Sequence, residues 1–282
     1  MVKKPHPHPN PPLEGEGVGA PVASPDTTLS LKGGGELRYS RHLLLNEWGQ
    51  EAQAKCAAAH AVIVGAGGLG SPAAHFLAAA GVGTITLCDD DDVDLTNIQR
   101  QMLYATADIG KRKVEAARDR LRAVNPDIAL HVRDARMDEA TLCELARAAD
   151  VVLDCTDNYK TRHAINRACV AARAPLVSGA AIRFYGQVTV FDLRNNDSPC
   201  YHCLFGENES LEEARAATLG VLAPLVGIVG TTQAAEALKL LTGIGEPLTG
   251  RLLMVDALTM RWETVRVKRS RRCPVCSGRE PN

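Results

Sequence analysis

An excess of charge of one sign is nearly absent from the sequence: 32 lysines and arginines face 33 aspartates and glutamates, leaving a formal net charge of −1. No overall field therefore draws the chain to nucleic acid or to an anionic membrane. Long apolar runs are missing too. The longest, Leu219 to Gly230, is about half the length that crosses a bilayer. Lys3 and Lys4 are followed by no apolar stretch of the kind that forms an export signal. The nine cysteines are an odd number, scattered with no such signal. That arrangement fits reduced thiols, with an organised subset on metal, better than disulfides. The expectation is a cytoplasmic protein that engages neither nucleic acid nor membrane.

The 282 residues are 45% apolar and 23% charged, an ordinary soluble balance and enough chain for one large α/β domain or one domain with appendages. Residues 1–35 stand apart. Seven of the fifteen prolines fall within residues 1–25, and Gly33-Gly34-Gly35 close the segment. It has too few apolar side chains to offset ordering entropy and reads as a disordered tail, with solvated histidines. The globular chain is expected to run over 36–282.

Short runs of branched apolar residues predict strands at Ala61–Gly65, Thr84–Cys88, Ile128–Val132 and Val151–Asp154. Helical patterns lie between them at Ser71–Ala80, Lys111–Val124 and Asp138–Ala148, with a further one at Lys160–Arg173. Ser71-Pro72 predicts a helix start with a hydroxyl N-cap. Alternation of strand and helix predicts a doubly wound, mainly parallel, Rossmann-like sheet. Later segments (Gln187–Leu193, Arg251–Val255 and Thr264–Lys268) read as a mixed or antiparallel portion, with a largely buried helix over Pro224–Leu241.

The chemistry concentrates in a few places. V-I-V-G-A-G-G-L-G at 62–70 puts Gly65, Gly67 and Gly70 in G-x-G-x-x-G register, which lets backbone N–H groups approach a phosphate at the next helix. The next strand ends in Asp89-Asp90-Asp91-Asp92. Asp89 lies near the offset at which a carboxylate meets a ribose hydroxyl. A tight turn with solvated aspartates is the plainer alternative. Cys200-Tyr-His-Cys203 and Cys273-Pro-Val-Cys276 are paired C-x-x-C motifs. Together they supply the four thiolates of a closed structural zinc site; a redox C-x-x-C would explain one pair but not both. Asn97, Arg100, Gln101 and Lys113 are candidates to reach phosphates near the carboxyl ends of the strands, though each alone would more often be a solvated polar group. In Val151-Val-Leu-Asp-Cys-Thr-Asp-Asn158, Asp157 is placed to hold Mg²⁺, and Asp154 reads equally well as a helix cap.

In order, R-Y-S-R at 38–41, G-A-G-G-L-G at 65–70, D-x-D at 89–91, N-I-Q-R-Q at 97–101, Lys113, C-T-D-N at 155–158 and the two C-x-x-C pairs resemble the MoeB/ThiF/HesA family, bacterial relatives of the ubiquitin-activating enzymes. The likeness runs from about Leu37 to Cys276; P-L-V-S-G-A-A-I-R at 175–183 and G-V-L-A-P-L-V-G at 220–227 are most similar to the molybdopterin-synthase adenylyltransferase branch. The resemblance implies ATP rather than NAD. It also implies adenylation of the C-terminal glycine carboxylate of a small ubiquitin-like sulfur carrier ending in Gly-Gly, with release of pyrophosphate.

On that reading Gly65, Gly67, Gly68 and Gly70 wrap the nucleotide, Asp89 and Asp91 serve its ribose side, and Asp157 and Asn158 its Mg²⁺ side. Arg100 and Lys113 stabilise the phosphates, with Asn97 and Gln101 in support. Arg41 reaches the active site of the partner in a homodimer, with Arg38 in reserve. The nucleotide-binding half would cover about 36–180 and a zinc-braced carrier-binding half about 181–282.

One position departs from the family pattern: Ala216 stands where many members carry a cysteine four residues before the glycine matching Gly220. A thioester there is impossible. Activation is expected to stop at the acyl-adenylate unless another thiol such as Cys155 substitutes, with a sulfurtransferase or cysteine desulfurase as sulfur donor. A thiamine-thiazole or cysteine-biosynthesis carrier, a nicotinamide oxidoreductase and an inactive carrier-binding scaffold are the alternatives.

Overall fold

A computed structural model describes residues 35–207 and 219–279. The predicted tail, apart from Gly35, and Ala216 lie outside the described residues. The framework is one eight-stranded sheet in the order β3-β2-β1-β4-β5-β6-β7-β8. Its first five positions are parallel: β1 (His60–Val64) pairs with β2 (Thr84–Cys88) and β4 (Val151–Asp154), β2 with β3 (Ala129–Arg133), and β4 with β5 (Leu176–Ile182). The remainder, β6 (Tyr185–Phe191), β7 (Arg251–Asp256) and β8 (Arg261–Arg266), is antiparallel.

The strands in the middle are buried because their sequences have no polar face. Val62, Ile63, Val151, Val152 and Leu153 are all buried, as expected where crossover helices cover both sides of a parallel sheet. One face carries α1 (Gly49–Ala58), α2 (Gly70–Ala80), α3 (Lys113–Val124) and α6 (Ala223–Thr242). The other carries α4 (Glu139–Ala148) and α5 (Tyr159–Ala172), together with Phe191, Tyr201 and the paired cysteines. The doubly wound architecture is as the sequence predicts.

Four local expectations change. Ser71 does not cap α2: the helix starts one residue earlier, with Leu69 at the N-cap and no side-chain cap. The Ser71 hydroxyl instead donates to the carbonyl of Ala66 at 3.2 Å, holding the turn before the helix. Helix α3 begins at Lys113, two residues later than its periodicity predicts, because Arg112 stays extended at the N-cap. There Arg112 is held by Asp92 and Asp134. Strand β5 is formed by a stretch whose Ser178-Gly-Ala-Ala181 centre carries no strand signal. Its glycine is required by packing, since a Cβ on Gly179 would lie 2.4 Å from the Gln233 side chain. Strand β8 begins three residues before the predicted one, and all six of its residues are exposed, so it has no alternation to read.

Candidate active site

The carboxyl ends of β1 and β4 part company at the centre of the sheet. Chain connections leave β1 toward β2 on one side, whereas β4 and β5 build the other. Such a switch point opens a crevice in which doubly wound folds hold ligands. Here the crevice is a cleft of about 1150 Å³.

The glycine loop forms its floor. Gly65 has φ +97°, in the left-handed region, and a Cβ there would stand 2.7 Å from the Cys155 carbonyl oxygen. A Cβ on Gly70 would stand 1.8 Å from the Gly65 carbonyl oxygen. The two glycines therefore let strand, turn and helix collapse onto one another. Gly65, Gly67 and Gly68 line the cleft. Gly70 lies behind it; its place in the motif is a packing requirement rather than a contact surface.

The aspartate run is largely consumed within the chain. Asp89 accepts the Ala66 N–H at 2.7 Å and the Asp91 N–H at 2.9 Å. Burial pushes its carboxyl above the ordinary value, against the opposing pull of Lys113 and these two donors. Asp91 pairs with Lys113 at 2.7 Å, and the Lys113 side chain is only 6% exposed. A phosphate entering the cleft must compete with Asp91 for that ammonium. Tyr104, unanticipated from the sequence, donates its hydroxyl to the Ala66 carbonyl at 2.8 Å and so fixes the loop from beneath.

The second wall comes from the turn after Asp94. Asn97, Arg100 and Gln101 all face the cleft. Arg100 is braced on the Thr96 carbonyl at 2.9 Å. Gln101 is buried with its side-chain carbonyl oxygen unpartnered, a costly condition that a ligand donor would relieve.

The third wall follows β4. Asp154 is fully enclosed and not a helix cap. Its carboxylate accepts the Thr156 N–H and hydroxyl, at 3.1 and 2.7 Å, and the Ser178 hydroxyl at 3.0 Å. Asn158 caps α5, accepting the Thr161 N–H at 2.9 Å, while still lining the cleft. Asp157, between them, is exposed toward the opening. Arg162, a buried cation that spacing did not single out, donates to the Thr156 carbonyl and lines the same wall.

Two expected residues lie elsewhere, and a third lines the cleft from beneath the glycine loop. Arg41 is exposed on a short helical turn, Ser40–Leu43, and does not line the cleft of its own chain. Arg38 is occupied by the Val124 carbonyl at 2.7 Å and by Asp127 at 3.6 Å. Cys155 is buried beneath the glycine loop, its thiol donating to Gln233 at 3.7 Å, and burial pushes its pKa far up. A thiol so held is a poor nucleophile.

Away from the cleft, the four predicted cysteines converge. Their sulfurs lie within 4.8 Å of one another, with Cys200 to Cys203 at 3.9 Å, Cys200 to Cys273 at 3.7 Å and Cys203 to Cys276 at 3.5 Å. A tetrahedron with metal–sulfur bonds of about 2.3 Å has edges of roughly 3.8 Å, so the cluster can hold a zinc ion. Arg269 ties this segment down, donating to the carbonyls of Asn196 at 2.8 Å and Cys276 at 2.6 Å. No helix among the described residues is long and apolar enough to cross a membrane.

Comparison with known proteins bears on the same stretch of chain. Over 243 residues it is 45% identical to the molybdopterin-synthase adenylyltransferase of Escherichia coli K12, covering 85% of this chain and 96% of that protein. Over 242 residues it is 45% identical to the sulfur carrier protein ThiS adenylyltransferase of the same organism, covering 86% and 95%. Among solved structures, Escherichia coli MccB with ATP superposes with a TM-score of 0.75 at 25% identity, over 86% of this chain and 75% of that one. The ThiF family matches residues 39–275, from the turn before Arg41 to the second cysteine pair, and the chain belongs to that family.

Proposed function

We propose that the protein adenylates the C-terminal glycine carboxylate of a small ubiquitin-like sulfur-carrier protein, using ATP and releasing pyrophosphate. The observation that carries this reading is the cleft itself, in which the glycine loop, the Asp89 and Asp157 carboxylates and the cations Arg100, Lys113 and Arg162 meet at the sheet's switch point. One relative is named as an adenylyltransferase of a sulfur carrier protein and another as one of molybdopterin synthase, and the two resemble this chain equally at 45% identity. The molybdopterin-synthase small subunit is the favoured carrier; the thiamine-thiazole carrier would use the same chemistry.

The carrier's carboxylate attacks the α-phosphorus, the α–β bridging P–O bond breaks, and pyrophosphate leaves with the electron pair. No side-chain nucleophile is needed. Glycine-loop N–H groups and the start of α2 cradle phosphate, and Asp89 accepts from the ribose. Arg100 and Lys113 offset the charge that builds on the phosphates, with Asn97 and Gln101 as polar support. The exposed Asp157 carboxylate fits Mg²⁺, which takes one or two carboxylates plus phosphate oxygens. Cys200, Cys203, Cys273 and Cys276 would hold zinc with all four positions filled by protein, so the ion would brace the carrier-binding half rather than activate water. Arg41, exposed and not among the residues that line its own cleft, acts across a homodimer on the partner's site.

ATP–pyrophosphate exchange is expected only when a Gly-Gly-ended carrier is present, and one carrier should dominate. Exchange without any carrier, or none with any of them from protein that binds ATP, would overturn the assignment. Cys155→Ala is expected to leave carrier-dependent exchange and thiocarboxylate formation within about twofold, at a packing cost of order 1 kcal/mol. Loss of thiocarboxylate with exchange intact would instead make Cys155 the missing thiol. The persulfide of a sulfurtransferase or cysteine desulfurase then attacks the acyl carbon, AMP leaves with the electron pair of the acyl C–O bond, and a further thiol cleaves the resulting acyl disulfide to the thiocarboxylate.

A further inference from the structure

A cluster that neither the cleft nor the four-thiolate site uses lies where α5 meets the short helical turn Tyr201–Leu204. His163 on α5, His202 on the turn and Glu207 just beyond it each bring one ligand atom within 4.8 Å of the others. His163 is 2% exposed. Its Nδ1 and that of His202 are buried with no hydrogen-bond partner, although buried ring nitrogens ordinarily find one. The rings stand 5.5 Å apart with planes at 69°, and His163 meets Tyr201 edge-on at 5.1 Å. They face one another without stacking.

The backbone holds these groups together by other means. Asn166, one turn beyond His163, accepts the Tyr201 N–H at 2.9 Å and donates toward the Cys200 sulfur at 3.8 Å. Helix and turn are thus joined before any ion is considered. The nearby cation is otherwise engaged: Arg167 grips Glu139 with two contacts of 3.0 and 3.1 Å, and reaches Glu207 only at 3.3 and 3.5 Å. Glu207 can turn to a metal while Arg167 keeps Glu139.

We propose that His163, His202 and Glu207 form a second metal site, taking one zinc-like divalent cation beside the four-thiolate site. Two imidazoles and a carboxylate suit a borderline cation such as zinc, and three protein ligands leave a coordination position for water. Magnesium, which prefers oxygen and holds its own waters, is excluded by the same donor set. Occupancy pins Glu207 to α5, the helix whose Arg162 supports the cleft wall at Thr156.

The test is metal stoichiometry on the full chain after dialysis against micromolar zinc and removal of loosely held ion. A second equivalent beyond the one held by thiolates is expected. His163→Gln, His202→Gln and Glu207→Gln should each bring the total from two to one. Glu207 is exposed, so Glu207→Gln reports even where loss of a buried histidine disturbs folding. With cobalt, the first equivalent should show thiolate charge-transfer absorption and the second should add only weak bands. A single equivalent in the unmodified chain, or a second that survives all three substitutions or adds thiolate absorption, would overturn the site.

Discussion

Asp157→Ala is expected to lower carrier-dependent ATP–pyrophosphate exchange by about a thousandfold or more, the scale on which preorganised charge stabilisation contributes to a transition state. The melting temperature should stay within about 2 °C, because the carboxylate is exposed at the cleft and its removal opens no cavity. That separation of activity from stability distinguishes Asp157 from its neighbours. Asp154 anchors Thr156 and Ser178, and Asn158 caps α5, so substituting either would confound folding with function. Excess Mg²⁺ should recover part of the Asp157→Asn rate and little of the alanine variant's. Exchange within tenfold of the parent at saturating Mg²⁺ would remove Asp157 from the metal's coordination.

The second large effect concerns Cys276→Ser. Losing one thiolate is expected to cost the four-thiolate site its zinc. Structural zinc contributes about 10–16 kcal/mol to zinc-finger peptides that are otherwise unfolded. Here the first core contains none of the four thiolates, whereas Cys200, Cys273 and Cys276 belong to the second, so the loss is expected to fall on the tail and on the part of the second core it packs against. A fall in melting temperature of about 5–10 °C is expected, together with rapid proteolysis after Val267. The arginine contacts that remain, Arg269 to Asn196 and Arg279 to Ser198, are two part-buried hydrogen bonds, too few to replace the metal. Chelation should bring the parent protein to the same behaviour. Unchanged melting and zinc content in Cys276→Ser would mean that the sulfurs converge without binding metal.

Legibility of the sequence followed the range of the forces involved. Strands β1 and β4 read directly because burial on both faces leaves nearly unbroken apolar runs, and β2 because its T-I-T-L-C sequence is rich in β-branched residues. The glycine loop and the two C-x-x-C pairs read directly because local chain geometry fixes their spacing. Strand β5 did not, since Gly179 answers to Gln233, fifty-four positions later in the chain. Helix α1 was missed as well: Gly49–Ala58 is alanine-rich and polar, with no apolar stripe to mark its buried side. At the cleft, nearly all of the predicted lining residues do face it. The sequence could not reveal that Asp91 already holds Lys113, that Gly70 packs instead of lining, or that Arg162 and Tyr104 belong to the site. Each of these depends on contacts between distant segments, and Arg162 and Tyr104 occupy positions at which a surface arginine or a core tyrosine is the commoner outcome.

The strand order also bears on how the chain is made. Once β1, β2 and β3 have paired, β1 presents a free edge; β4 joins it, and β5, β6, β7 and β8 then add outward one after another. No strand has to insert between two that are already hydrogen-bonded. A ribosome delivering roughly 5–20 residues per second therefore hands each strand to an edge that is waiting for it. The nucleotide crevice between β1 and β4 takes shape before the antiparallel strands emerge. Cys273 and Cys276 leave the tunnel after β8 and only then meet Cys200 and Cys203, so metal capture follows the pairing of the eighth strand.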